Sequence, residues 1–274
     1  MTKIKQILKR YPRLLLLAYK LRRWGAPVLE HPIRALIEYI HYFVDRHKFI
    51  AMGGSAPLTD AYPCLYDRTR ETPIDPYYFY QAVWGIREIF DRSPSNHVDV
   101  GSDVKFVGML SAITRVTFVD IRPLAVSVEN LECLAGSILS LPFSDQSIKS
   151  ISSFHVIEHI GLGRYGDPID PAGTALACRE LMRVVAPGGR LYLTVPVGRS
   201  RTQFNGQNVL SVKEVVDNFN NLNLIKMAGV NALGQFVSNI SPDNAETELN
   251  RAGGMDFSLG CFIFERKSAK GKKR

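Results

Sequence analysis

The spacing of apolar positions changes along the chain, and the changes mark its segments. From Pro32 onward Ile33, Leu36, Ile37, Ile40 and Val44 recur three and four residues apart, which lines one face of an α-helix, and Pro32 is a favourable first-turn residue. Residues 51–76 lose that pattern, with Gly53, Gly54, Pro57, Pro63, Pro73 and Pro76 marking a loop. Residues 77–90 read as a helix dense in aromatic side chains. From residue 96 short β-branched runs alternate with helical stretches. Strands are predicted at 97–100, 116–120, 151–156, 190–195, 223–228 and 260–265. A helix is predicted at 173–185, stopping at Pro187-Gly188-Gly189, and Ser211 with Glu214 forms a capping box that opens another. This alternation predicts parallel βαβ units, hence an α/β fold with a doubly wound, mostly parallel sheet. The expected division is a basic helical and loop extension at 1–76, the α/β domain at 77–265 and a basic disordered tail at 266–274.

Charge adds one feature to this picture. The formal net charge is +8, yet residues 1–50 alone carry eleven Lys or Arg against three acids, and 265–274 carry six against one. The stretch between is therefore acidic. Basic ends suit phosphates or anionic lipid headgroups. An acidic middle argues against nucleic acid as the substrate, which would have to lie along the catalytic face. Residues 3–24 mix Lys and Arg with apolar side chains, as interfacial helices do, although Pro12 interrupts them. No run approaches the length of a membrane span. The expectation is a cytoplasmic protein, with peripheral contact to an anionic inner membrane surface as its one membrane role. Cys64, Cys133, Cys178 and Cys261 stand far apart without metal-ligand spacing and read as reduced thiols.

The candidate chemistry gathers at strand ends. The first predicted strand ends Asp99-Val100-Gly101-Ser102, and the second ends at Asp120, twenty-one positions after Asp99. Glycine at such a turn lets backbone approach a ligand, and an acid about twenty residues on accepts hydrogen bonds from ribose hydroxyls. The pair points to an adenosine-containing ligand and leaves a nicotinamide cofactor and S-adenosylmethionine both open. Residues 101–106 hold one glycine and place Asp103 where a pyrophosphate would sit. That acid opposes a pyrophosphate and tolerates a sulfonium and an ammonium group.

Further along come Gly136-Ser137-Ile138-Leu139-Ser140-Leu141-Pro142-Phe143, Val156-Ile157-Glu158-His159-Ile160, Glu180-Leu181-Met182-Arg183 and Pro187-Gly188-Gly189. In order and separation these strings resemble the class I S-adenosylmethionine-dependent methyltransferase superfamily over residues 96–265. The wider run, from 77–81 through 97–102 to 155–171, resembles one bacterial and nematode family of unassigned function within it. The resemblance implies a seven-stranded Rossmann-like sheet and S-adenosylmethionine as cofactor. It implies that Asp99, Gly101 and Ser102 form the first-strand motif, that Asp120 binds ribose, and that Ser137 and Ile138 form the adenine turn. Phe154 and His155 would face the transferable methyl. This sequence departs from the pattern by lacking the later glycines of the first turn and by placing Ser137 where an acid is usual. A hydroxyl accepts a hydrogen bond more weakly than a carboxylate.

Methyl transfer to a hydroxyl also needs a base. Among His155, Glu158, His159, Asp167 and Asp170, His159 is the expected base, with Asp167 or Asp170 orienting it. The pattern from His155 to His159 also matches HxxEH, a zinc arrangement that needs a helix, and the β-branched residues before it and Gly161 after it oppose one; no metal is expected. The long 161–171 segment is expected to shape access, and Arg199, Arg201, Gln203 and Asn205 point to an anionic or polyhydroxylated acceptor. The expected activity is O-methylation of a small polar or glycan acceptor. The alternative is a catalytically degenerate relative that binds at a membrane face.

Overall fold

The computed structural model describes residues 22, 24–26, 28–249 and 257–268, which fall into two compact units divided after Pro73. Most of the basic segment at 3–24 and the tail beyond 268 lie outside the described residues. Among those described, no helix is long and apolar enough to cross a membrane.

The N-terminal unit is built on α1 (Pro32–Ala51), which begins at the predicted proline. One of its faces packs inward: Ala35 is fully buried, and Tyr39 stacks on Trp24 with ring centroids 5.5 Å apart.

The second unit opens with α2 (Pro76–Phe90), capped by the Asp75 carboxylate, which accepts from the Tyr77 and Tyr78 amides. Then follow β1 (Asn96–Val100), α3 (Val104–Leu110), β2 (Arg115–Asp120), β3 (Leu131–Ala135) and β4 (Ile148–Phe154). After a 3₁₀ turn at Ile157–His159 come α4 (Gly173–Val184), β5 (Val185–Val197), the hairpin β6 (Arg201–Gln203) and β7 (Gln207–Val209), and α5 (Val212–Asn218). The chain closes with β8 (Asn223–Val230), β9 (Phe236–Val237), α6 (Ala245–Leu249) and β10 (Ser258–Glu265). The main sheet runs β3-β2-β1-β4-β5-β10-β8-β9, with β3 through β5 parallel and β10 antiparallel to both neighbours. Strand order reverses between β1 and β4, which opens a crevice at their carboxyl ends.

Alternation along the strands feeds two cores. Leu191, Leu193, Phe262 and Phe264 face one side with α4 and α5, while Tyr192, Cys261 and Ile263 face the other with α2 and α3. Gly85 lets α2 lie directly on the strand end, since a Cβ there would come 2.4 Å from the Phe154 ring.

Four details differ from the sequence expectation. β4 ends at Phe154 because His155 adopts φ +56, outside the extended region. Pro187-Gly188-Gly189 falls inside β5 as a bulge, where pairing jumps from Ile148–Val185 to Ser150–Arg190. Residues 201–209, for which the sequence predicts no strand, form the β6–β7 hairpin. The main sheet has eight strands rather than seven, the extra one being the two-residue edge β9. Of the predicted tail, Arg266 is anchored, donating to the carbonyls of Val185 (2.7 Å) and Met182 (2.5 Å).

Candidate active site

The floor of the crevice rests on buried polar groups. His97 is fully buried, with Nδ1 2.7 Å from the Ser150 hydroxyl and Nε2 2.8 Å from that of Ser152. Burial holds its imidazole neutral by pushing its pKa down to about 3. The Ser152 hydroxyl donates to Asp99, so it receives from Nε2–H of His97, and Ser150 donates to Nδ1. Asp99 also accepts from the Ser102 amide (3.1 Å) and hydroxyl (2.7 Å), and the Ser102 oxygen accepts from the Phe154 amide (2.9 Å). This chain ties the turn after β1 to the end of β4. Burial pushes the Asp99 carboxyl up to about 6.

Above this floor, a cleft of about 640 Å³ is lined by Gly101, Asp120, Ser137, Ile138, His155 and His159, among others. A second cleft of about 1510 Å³ adjoins it and shares Gly101, Asp120, His155 and His159, adding Tyr78, Ser102, Phe154, Arg164 and Gln207. Gly101 sits at φ +72, and a Cβ there would lie 3.2 Å from Val156 and 3.7 Å from Asp120 Oδ2. The glycine therefore keeps backbone open to the cleft beside that carboxylate oxygen. Asp120 Oδ1 accepts from the Arg122 amide at 2.7 Å.

Across the cleft, the turn at residues 136–143 is held from behind. Arg183 forks onto Glu180 through Nε and Nη2 (both 2.7 Å) and reaches the carbonyls of Phe143 (2.9 Å) and Leu141 (3.2 Å). Glu180 in turn accepts from the Leu141 amide at 2.6 Å. The Glu-Leu-Met-Arg string thus acts on the Leu-Pro-Phe turn. Ser137 Oγ accepts from the Leu139 amide at 3.2 Å.

Past β4, His155 stacks on Tyr78 with centroids 5.4 Å apart and donates from Nδ1 to Glu158 Oε1 at 2.7 Å. Glu158 is wholly buried, and its Oε2 and the Nε2 of His155 have no hydrogen-bond partner among the described residues. Tyr78 is held protonated by burial and by the Glu158 carboxylate, both of which raise its pKa. His159 donates from Nδ1 to the Gly206 carbonyl (2.7 Å), which leaves Nε2 as the lone-pair nitrogen, 4.0 Å from Glu158 Oε1. Burial, the largest effect, lowers the pKa of His159. The segment from His155 to His159 forms a bend just past β4 and a single 3₁₀ turn, not the helix of the zinc arrangement.

The 161–171 segment folds over the smaller cleft. Asp167 organises it by accepting from the amides of Gly161 (2.8 Å), Tyr165 (3.3 Å) and Gly163 (3.4 Å). These amides pull its pKa down, against the opposing effect of burial. The base of the segment is pinched, since a Cβ on Gly161 would sit 2.0 Å from the Asp170 carbonyl and one on Gly173 would sit 2.7 Å from Gly161. Tyr165 lies between two guanidinium groups, Arg122 at 4.3 Å and Arg164 at 5.1 Å from its centroid.

The structure therefore gathers Gly101, Asp120, Ser137, Ile138, His155, His159 and Asp167 around the smaller cleft and Ser102 and Phe154 in the wall of the larger. Asp99 lies beneath the turn with its carboxylate enclosed. Neither Asp167 nor Asp170 bonds His159. Asp170 accepts from the Ala172 amide at 2.8 Å, and the orienting partner of His159 is the Gly206 carbonyl. Of the 197–208 stretch, Gly206 and Gln207 reach the site, while Arg201 lines a separate surface cleft. Arg122, Arg164 and Tyr165 are site residues that sequence reasoning missed. The adjacent Arg-Tyr pair inside an insertion already assigned to access was the available signal.

A family of Caenorhabditis proteins of unknown function, DUF268, matches residues 139–226, from the Leu-Pro-Phe turn into β8. No curated protein matches the chain by sequence. Among solved structures, the N-methyltransferase NodS from Bradyrhizobium japonicum is similar with a TM-score of 0.50 at 16% identity, over 71% of this chain and 98% of that one. The [4+2]-cyclase SpnF is similar with a TM-score of 0.50 at 11% identity, over 85% of this chain and 96% of that one. At such identities the likeness is one of fold. Strand order, the antiparallel strand β10 and these neighbours agree: the chain has the class I S-adenosylmethionine-dependent methyltransferase fold.

Proposed function

We propose that the chain is an S-adenosylmethionine-dependent methyltransferase that methylates oxygen on a small polar or glycan acceptor. The observation that carries this reading is His159. Its imidazole is neutral by burial and oriented by the Gly206 carbonyl, and it presents a lone pair in the wall shared by both clefts. The residues fit the cofactor. Asp120 Oδ2 beside the open backbone of Gly101 suits ribose hydroxyls, and the wall of Ser137, Ile138 and Leu139 suits a purine. The fold-sharing NodS is itself an N-methyltransferase, which supports the cofactor class and leaves the acceptor atom to the site.

When bound, S-adenosylmethionine supplies a methyl group activated by its sulfonium. The chain's own residues align the acceptor and remove its proton. The acceptor hydroxyl gives its proton to His159 Nε2, Nδ1–H stays on the Gly206 carbonyl, and the Glu158 carboxylate 4.0 Å away favours the resulting imidazolium. Arg164 and Arg122 at the mouth favour an acceptor bearing a carboxylate or phosphate as well as hydroxyls.

The test is calorimetric titration with S-adenosylmethionine and S-adenosylhomocysteine, followed by methyl-transfer assays on acidic and phosphorylated sugars. Saturable one-site binding and His159-dependent transfer would support the reading. A specific observation favours a second reading, a catalytically degenerate protein: Asp120 Oδ1 and Ser137 Oγ already serve their own turns. Absence of cofactor binding by the folded chain would select it.

A further inference from the structure

The apolar residues of α1 do not share one side. At 100° per residue, Ala35, Tyr39, Tyr42 and Arg46 fall on the face that packs within the N-terminal unit. Tyr39 and Tyr42 meet Trp24 there, and Arg46 donates to the Ala56 carbonyl. The opposite face is a continuous stripe of Ile33, Leu36, Ile37, Ile40 and Val44, exposed by 80%, 64%, 49%, 55% and 46%. Five branched apolar side chains in one row are far from the scattered surface residues of an ordinary soluble helix. Along one flank of the stripe, two turns apart, run Arg34, His41 and Lys48, with Glu38 3.5 Å from His41 and Asp45 4.0 Å from Lys48.

We infer that this stripe docks the chain on an anionic phospholipid surface, with α1 lying in the plane of the headgroups. Two observations select this occupant. The first fifty residues carry eleven Lys or Arg against three acids, eight of the eleven ahead of α1, so the apolar row follows directly on a strongly basic stretch of sequence. That pairing of an apolar face with cations binds negatively charged lipid, each cation adding about 1 kcal/mol near such a surface. A second copy of the chain, by contrast, would bring two equally basic segments together across the stripe. The helix lies on the surface and does not span, since none of the described helices is long and apolar enough to cross. This inference is independent of the methyltransferase reading, because it uses no residue of the cleft.

The experiment is co-sedimentation of the full chain with vesicles of phosphatidylcholine, with and without phosphatidylglycerol, at low and high salt. The chain should pellet only with the anionic vesicles and be released by salt. The double variant Ile37→Asp/Ile40→Asp should weaken partitioning at least about tenfold, since each isoleucine contributes about 1.5–3 kcal/mol when fully buried. Its side chains are exposed, and an unchanged circular dichroism spectrum would exclude misfolding as the cause. Lys48→Glu, farther from the stripe centre, should weaken binding at low salt and make little difference at high salt. Failure to pellet with anionic vesicles would overturn the inference, as would wild-type partitioning by the double variant. A concentration-dependent dimer abolished by that variant in analytical ultracentrifugation would assign the stripe to self-association instead.

Discussion

Replacing Asp99 by asparagine tests the buried chain beneath the turn after β1. The carboxylate is wholly enclosed and faces donors, namely the Ser102 amide and hydroxyl and the Ser152 hydroxyl. Burial lifts its pKa from the ordinary 3.8 to about 6. The unfolded chain releases that proton near pH 3.8 and the folded chain keeps it to about 6, so between those values the folded state binds more protons. Stability then falls as pH rises through this window, by about 3 kcal/mol in full and by about 2 kcal/mol between roughly pH 4.5 and pH 7.5. The introduced asparagine cannot ionise, and its amide can donate to Ser152, whose hydroxyl then turns to His97 as it would beside a protonated acid. The free energy of Asp99→Asn relative to wild type should therefore become more favourable by about 2 kcal/mol from roughly pH 4.5 to pH 7.5, read from urea unfolding at each pH. An equal difference at both values, or a change of opposite sign, would refute a carboxylate whose ionised form is disfavoured by burial.

Three further outcomes are expected. Asp120→Ala should weaken S-adenosylhomocysteine binding about ten- to hundredfold in calorimetry, the worth of charge-assisted hydrogen bonds, with an unchanged unfolding midpoint. His159→Gln should lower turnover by about two to four orders of magnitude while leaving that binding within about threefold; in wild type the rate should rise with pH along a limb below 6.5 and then level, because burial lowers the pKa of His159 and the neutral form is the base. Gly161→Ala should destabilise more than Gly166→Ala, since both sit at positive φ, costing about 1–2 kcal/mol, but only at Gly161 does a Cβ meet backbone, at 2.0 Å. Equal unfolding free energies for the two variants would contradict the pinched base of the 161–171 segment.

Much of the architecture was legible because it is written locally. Pro32 marks a helix start through its fixed φ, and the pair Ser211 and Glu214 marks another through a capping box, neither of which needs a distant partner; the start at Asp75-Pro76 reads in sequence as loop. β1 and β2 announce themselves as enclosed apolar runs ending in Gly101 and Asp120. β3 was missed because its residues are only partly buried and it carries Glu132 and Cys133 without clear alternation. The environment of His159 was illegible for a different reason. Its partner is a main-chain carbonyl forty-seven residues away, and a carbonyl leaves no mark in side-chain identity. Asp167 was visible as a candidate, but its use in gathering three amides depends on the glycine-rich path of the segment around it.

The Arg183 fork separates the shape of the Leu-Pro-Phe turn from the identity of the residues that precede it. Because Glu180 and Arg183 of α4 hold Leu141 and Phe143 from behind, the Leu-Pro-Phe end of the turn is fixed by a helix, while Ser137 supports only its own end through the Leu139 amide. A residue at position 137 that keeps an acceptor for that amide can therefore change in charge at little cost in form. Ser137→Asp should restore a carboxylate acceptor for an adenine amino group, keep the bond from the Leu139 amide and tighten nucleoside binding several-fold. Under the methyltransferase function proposed above, this turn is where nucleoside affinity can be re-tuned at the least cost in structure.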